Sequence, residues 1–444
     1  MTDLQTLIDL NILPEHPGAL SLKSKLDYCR TQGGKDCLHE LLKLENITYN
    51  GIQERQSCIR FICEHPAAWK MPVSEEDIFY LKQYLGAGYV PLQVNNKVKL
   101  FFNAMQRLLL NKGHYYFVLS GVKVTLRVVQ DLVSFCHAAY HPGMPGPLKR
   151  KLQALLDAAA SLGIKADTYD RFQAETPELS TLFTVDHTLR TGHIRTITGM
   201  LEIYYQLEMY YSLAMAHRNM QLSFPELQED GADIYLEELA HPLVANCHTN
   251  TIRTNGRHMI IITGPNMSGK STFMKSVGTA FVMAALGIGV AAKAAVMPVM
   301  DIIVTCIDIK DDIEKGYSYF FSEVKKIRSI AEKVRSGKRV LVIGDELFKG
   351  TNVQDALDCT RMVLEGLLPH RQHFYFIATH FPEIAARFET EKGCYAVCFD
   401  GAVMQDEIKF DYRLKPGIST LRIGSLILKQ QEVLTLLQPA GETI

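Results

Sequence analysis

The chain has 444 residues, 47% of them hydrophobic and 21% charged, with a formal net charge of -1. That length exceeds one ordinary hydrophobic core and calls for two or three domains. The near-zero charge excludes a polycation that coats nucleic acid with its whole surface, so any such contact is confined to local patches.

Met1 to Leu10 carries acids and no basic segment leading into an apolar core. No signal peptide is read there, and a cytoplasmic location is expected. Up to about residue 220 the pattern is mostly helical. Apolar residues recur at helical spacing in Leu38, Leu41 and Leu42, in Ile59, Ile62 and Cys63, and in Val98, Phe101, Phe102, Met105, Leu108 and Leu109. The same spacing returns in Leu201, Tyr204, Tyr205, Leu207, Tyr210, Tyr211 and Leu213, and such stripes read as core rather than as cofactor-binding surface. From Tyr115 to Val129 the valines favour a strand and the flanks a helix; the reading taken is helix. His141 to Pro147, rich in Pro and Gly, is the clearest break in this half. Lys149, Arg150 and Lys151, and then Arg190, His193 and Arg195, form two small basic clusters. Each is read either as a solvated helix face or as a patch that neutralises a few nucleic-acid phosphates.

A second break covers Ser223 to Asp233, and strand-like Ile234, Tyr235 and Leu236 follow it. Beyond this point apolar strands alternate with helices. Met259 to Ile262, Ile302 to Cys306, Arg339 to Ile343, Phe374 to Ala378 and Tyr395 to Phe399 are the predicted strands. The fold class expected is therefore α + α/β, with a helical domain over 1–230 and a domain over 231–444 built on a largely parallel sheet. Ser276 to Ala292 lacks charge between Lys275 and Lys293. Its length only reaches the lower limit of a membrane span, about 17–25 residues, and three glycines interrupt it, so a buried core helix and no membrane are expected. The ten cysteines are scattered, and the closest pairs, Cys58 with Cys63 and Cys394 with Cys398, lack the spacing of a zinc site.

Three motifs carry chemistry. Ile260 to Ile262 feed the run Thr263, Gly264, Pro265, Asn266, Met267, Ser268, Gly269, Lys270, Ser271, Thr272. Gly264 and Gly269 let the backbone curl so that N–H groups face phosphate oxygens. Lys270 adds a positive charge, Ser271 offers a hydroxyl to Mg²⁺, and the helix that follows presents its N-terminal dipole. The apolar run Val340 to Ile343 then ends in Gly344, Asp345 and Glu346. Asp345 is placed to hold Mg²⁺, and Glu346 to polarise the water that attacks a γ-phosphate. The run Ile377, Ala378, Thr379, His380 places a histidine at another strand end, where it can hold the attacking water or donate to the γ-phosphate.

With these residues in that order, and with His241-Pro242, Asp311-Asp312, Gly316-Tyr317-Ser318 and Gly350-Thr351-Asn352 between and around them, the chain resembles the MutS family of DNA mismatch repair ATPases, a branch of the ABC-type ATPases. The Pro265-Asn266-Met267 insert makes the resemblance much more specific than a generic phosphate loop. It is strong over residues 235 to 430 and weaker over 1 to 225, where it implies the family's helical core and lever modules. The resemblance implies ATP and Mg²⁺ as cofactors, with Gly264 to Thr272 cradling the nucleotide and Ser271 and Asp345 at the metal. Catalysis would fall to Glu346, His380 and Ser318, the last reaching the γ-phosphate of a second subunit. It also implies a homodimer, DNA as partner and possible contact with other repair proteins.

The chain departs from the family in reading Phe348-Lys349-Gly350-Thr351, preceded by Leu347, where Gly-Arg-Gly-Thr is usual, and in the bulky Tyr319-Phe320-Phe321-Ser322-Glu323. It is also expected to be a short form without the N-terminal mismatch-recognition and connector modules. The segment between 110 and 190 looks short for a family-type clamp. Two other readings stand beside the repair ATPase: a nucleotide-dependent structural or interaction protein with no mismatch recognition, and a small-molecule kinase on the same loop.

Overall fold

The computed structural model describes residues 2–45, 47–92, 94, 97–174, 176–307, 319–404, 407–421 and 423–437. The helices of the first half are α1 (Leu4–Asp9), α2 (Leu22–Leu26), α3 (Gln32–Leu42), α4 (Tyr49–Glu64), α5 (Glu75–Gly86) and α6 (Lys97–Leu110), then α7 (Lys112–Ala139), α8 (Gly146–Ser161), α9 (Ala166–Ala174), α10 (Leu179–Gly192) and α11 (Ile194–Asn219). Next come β1 (Glu226–Gln228), β2 (Tyr235–Leu239), β3 (Asn250–Arg253), β4 (Met259–Thr263), α12 (Lys270–Ala285), β5 (Ala294–Pro298) and β6 (Ile302–Cys306). The chain continues through α13 (Tyr319–Val334), β7 (Val340–Asp345), α14 (Val353–Leu367), β8 (Phe374–Ala378) and α15 (Pro382–Phe388). It closes with β9 (Cys394–Met404), β10 (Glu407–Pro416), α16 (Gly424–Gln430) and α17 (Val433–Leu436).

These elements form two compact units, one of Met1–Lys25, Leu42–Gln53 and His217–Ile444, the other of Leu26–Leu41 and Glu54–Ala216. In place of one cut between residues 230 and 231, the chain starts in the α/β unit and returns to it.

The helical unit is organised by α7. Its buried positions Val118, Val122, Thr125, Leu126, Val129, Leu132 and Cys136 recur every three or four residues. Burial of that stripe outweighs the weak helix propensity of the valines. Asn111 starts the helix by accepting the His114 N–H at 3.0 Å, and Gly121 lets it approach its neighbour, since a Cβ there would lie 2.2 Å from the Tyr84 ring. The expected break falls between α7 and α8, and Pro lies in the first turn of α8. Two buried carboxylates fasten the unit. Glu208 accepts the Arg30 and Thr31 N–H groups at 2.8 and 3.3 Å at the start of α3, and Asp186 accepts the Tyr84 and Tyr89 hydroxyls at 2.7 and 2.9 Å. Arg190 is built into the same region: its guanidinium stacks 3.7 Å from the Tyr89 ring centre and donates to the Ala87 carbonyl. Of the second basic cluster, Arg190 is therefore part of the packing rather than a free cation.

In the α/β unit, a six-stranded sheet has the order β10-β9-β4-β8-β7-β6, parallel except for the β9/β10 hairpin. Its central strands are buried at every position, as expected for strands covered on both faces. A second, four-stranded sheet has the order β1-β5-β2-β3. All five predicted strands are present; β1, β3, β5 and β10 carry too short or too mixed a pattern to stand out. Ser276 lies within α12, which is buried along almost its whole length, and among the described residues no helix is long and apolar enough to cross a membrane. The N-terminal segment joins this unit along edge strand β6. The Ile303 and Thr305 N–H groups donate to the hydroxyls of Thr2 and Thr6 at 3.3 and 3.0 Å, and the Thr305 hydroxyl donates to Asp9 at 2.6 Å. Side chains thus satisfy an edge that would otherwise offer open N–H groups.

Candidate nucleotide-binding site

The site lies at the carboxyl ends of the parallel strands, where open α/β sheets bind ligands. Gly264 leaves β4 at φ +143° and Gly269 enters α12 at φ +104°. Both conformations favour glycine, and at Gly264 a Cβ would also lie 2.3 Å from the Phe399 carbonyl oxygen. The buried Lys270 turns back over the loop and donates to the carbonyls of Gly264 and Pro265 at 2.8 and 3.0 Å. Burial lowers its pKa, while the charges of Glu346 and Asp345 act in the opposite direction.

The Ser271 hydroxyl donates to Asp345 Oδ2 at 2.6 Å. Asp345 Oδ1 and Ser268 Oγ are buried without a hydrogen-bond partner, an expensive arrangement unless a ligand completes it. A hydroxyl and a carboxylate facing each other across a glycine-lined cradle are the hard oxygen donors that suit Mg²⁺ beside phosphate. The residues present therefore fit both groups.

Glu346 follows β7 at φ +56°, and its N–H donates to the Ala378 carbonyl at 3.0 Å. Its Oε2 lies 3.8 Å from Nδ1 of the half-exposed His380 and 3.5 Å from Nζ of Lys349. Burial lowers the Lys349 pKa, but the Glu346 and Asp345 charges outweigh it, so the net direction is upward. Lys349 thus supplies a cation where the sequence departs from the family's Gly-Arg-Gly. The structure brings Lys270, Ser271, Asp345, Glu346 and His380 to one place. Ser318, with the whole run 308–318, lies outside the described residues.

One side of the site opens into a cleft of about 600 Å³ that reaches from Lys270 and Ser271 to His248 and Tyr412. The two rings are nearly parallel, 5.0 Å apart at 19°. Tyr412 has φ +54° within the irregular part of the β9/β10 pairing. Asn250 holds that bend by donating to the Tyr412 carbonyl at 3.1 Å and accepting the Leu414 N–H at 2.7 Å. This aromatic end was not anticipated from sequence, because the residues are far apart in the chain and neither sits in a recognisable motif. His241 is buried and its Nδ1 accepts the Leu243 N–H at 3.3 Å. Burial, then the Lys275 charge, pushes its pKa down to about 4. Among the described residues no cluster of metal-ligating side chains of the zinc type occurs.

A glycine-framed cradle between a buried strand and a helix, faced by an Asp-Glu pair on a neighbouring parallel strand, defines the P-loop NTPase fold. Comparison with known proteins narrows the class: residues 260–434 match MutS domain V. The chain is 31% identical over 267 residues to the DNA mismatch repair protein spellchecker 1 of Drosophila melanogaster, covering 57% of this chain and 28% of that protein. It is 31% identical over 232 residues to the DNA mismatch repair protein MutS of Desulfitobacterium hafniense, covering 50% and 27% respectively. For MutS of Bacillus subtilis the identity is 27% over 254 residues, covering 53% and 29%. Residues 260–434 are thus similar to domain V of the MutS family, and these matches span little more than a quarter of each relative's length.

Proposed function

We propose that this protein is a Mg²⁺-dependent ATPase of DNA repair that works as a homodimer, with helical levers responding to the nucleotide. The observation that carries the reading is the convergence of Ser271, Asp345 and Glu346 on the glycine-framed loop, with Ser271 and Asp345 2.6 Å apart. Backbone N–H groups of Gly264 to Thr272 and the Lys270 ammonium bind the phosphates, and Ser271 and Asp345 hold the metal. Bound Mg²⁺ offsets phosphate charge. Glu346 takes a proton from water as the water oxygen bonds to the γ-phosphorus and the bridging oxygen leaves with ADP; His380 orients that water. His248 and Tyr412 offer ring faces to the base. Ser318 completes the partner subunit's site, and the helical unit, residues 26–41 and 54–216, takes the place of the family's core and levers. Lys149, Arg150 and Arg195, all exposed, are the residues of the two basic clusters offered to DNA phosphates.

The test is Glu346→Gln in the full chain. It retains ATP binding and loses turnover; undiminished hydrolysis removes Glu346 from the role of base. A second reading, a nucleotide-dependent interaction protein without mismatch recognition, is favoured by the packing of Arg190 against Tyr89, which leaves fewer cations for DNA. Binding to homoduplex, mismatched and branched DNA across a salt series separates the two: a mismatch preference supports the repair ATPase, and absent or purely salt-driven binding supports the second reading.

A further inference from the structure

We propose that Glu323 is a positioning residue that ties the first turn of α13 to the turn carrying Glu346, so that the general base is set only while that helix is seated. This inference rests on the ATPase reading above and extends it to the regulation of the same site.

The observation begins with an acid in an unfavourable place. Glu323 lies near the start of α13 and is only 3% exposed. Its two oxygens accept consecutive backbone N–H groups, Oε1 from Lys349 at 2.9 Å and Oε2 from Gly350 at 3.1 Å. Hydrogen bonds to an ionised acceptor are about twice as strong as neutral ones. Burying the carboxylate is thereby compensated, and the two N–H groups become fixed in space.

The segment so fixed is one that needs holding. Between β7 and α14, Glu346 and Phe348 both have left-handed backbones, with φ +56° and +62°, each costing roughly 1–2 kcal/mol for a residue with a side chain. At its start the segment hangs from β8 through the Glu346 N–H and the Ala378 carbonyl. At its end it hangs from α13 through Glu323. Gly350 permits this approach, because a Cβ there would lie 2.7 Å from the Phe320 nitrogen. The Phe348 and Phe320 rings interlock at 5.9 Å.

The clamp reaches chemistry through Lys349. Its N–H is held by Glu323, while its Nζ lies 3.5 Å from Glu346 Oε2. A displacement of the start of α13 therefore moves the backbone of Lys349 and withdraws the cation from the general base.

The test uses Glu323→Gln in the full chain, with Lys349→Met as a comparison and Glu323→Asp as a second variant should the first not fold. ATP affinity, kcat, KM and thermal stability are measured against wild type and Glu346→Gln. Positioning predicts a fall in kcat of about 10- to 100-fold, the scale of a displaced catalytic group, with ATP affinity within about threefold. K349M, which removes the same cation directly, is expected to lower kcat with ATP affinity likewise retained. If E323Q lowers only the melting temperature and leaves kcat in place, Glu323 is merely structural and the inference falls. If wild type does not hydrolyse ATP, the functional reading falls and takes the inference with it.

Discussion

His373 gives a prediction whose size follows from the structure. It is completely buried, and its Nδ1 accepts the Val340 N–H at 3.1 Å where β7 begins. That role requires the neutral ring. Burial, reinforced by the neighbouring His370, pushes its pKa from 6.5 down to about 4. The unfolded chain takes up this proton near the ordinary value and the folded chain does not. The associated stability is therefore complete above about pH 6.5 and is lost as pH falls towards 4. At pH 5.5 the loss is about 1.4 kcal/mol, a tenfold rise in the opening equilibrium, and over the full window it is roughly 3 kcal/mol.

His373→Asn retains an acceptor and removes the titration. The single tryptophan, Trp69, lies in the helical unit, so its fluorescence would report on the wrong part of the chain. Amide hydrogen exchange of peptides covering β7 and β8 is the appropriate assay, with rates corrected for their intrinsic pH dependence. Between pH 7.5 and 5.5 the wild type should lose about tenfold more protection than the variant. Equal losses in the two proteins would refute the assignment of that proton to His373.

Three further outcomes are expected. Gly264→Ala places a methyl against the Phe399 carbonyl oxygen and a side chain at φ +143°, so nucleotide binding should be lost, with destabilisation of at least about 1–3 kcal/mol; calorimetric titration with ATP that finds wild-type affinity would discount the cradle. Tyr412→Ala removes one of the two stacked rings and should weaken ATP about 3- to 10-fold, the scale of one aromatic contact, while triphosphate alone binds as before. An equal effect on both ligands would remove the base from that end of the cleft. Thr6→Val leaves the buried Thr305 N–H without its acceptor and should cost about 1–3 kcal/mol, read as faster exchange in β6; unchanged exchange would show that the N-terminal segment does not secure this edge.

The phosphate loop, the Asp345-Glu346 strand end and His380 were legible in sequence because their chemistry is local. Each is a short run whose residue types and backbone demands stand together, and the buried parallel strands beside them are continuous apolar runs. The helical character of α7 was read from its flanks alone, because the valines within Tyr115 to Val129 favour a strand by propensity. What tertiary structure alone decided is where distant residues meet. The carboxylate of Glu323 reaches the backbone of Lys349 and Gly350, Tyr412 turns over His248, and Thr2 and Thr6 come back to the edge of β6. Arg190, a surface cation by sequence, is drawn against Tyr89 by packing. These contacts depend on how strands and helices are ordered in space, and hydrophobic periodicity records only which face is buried, not what that face will touch.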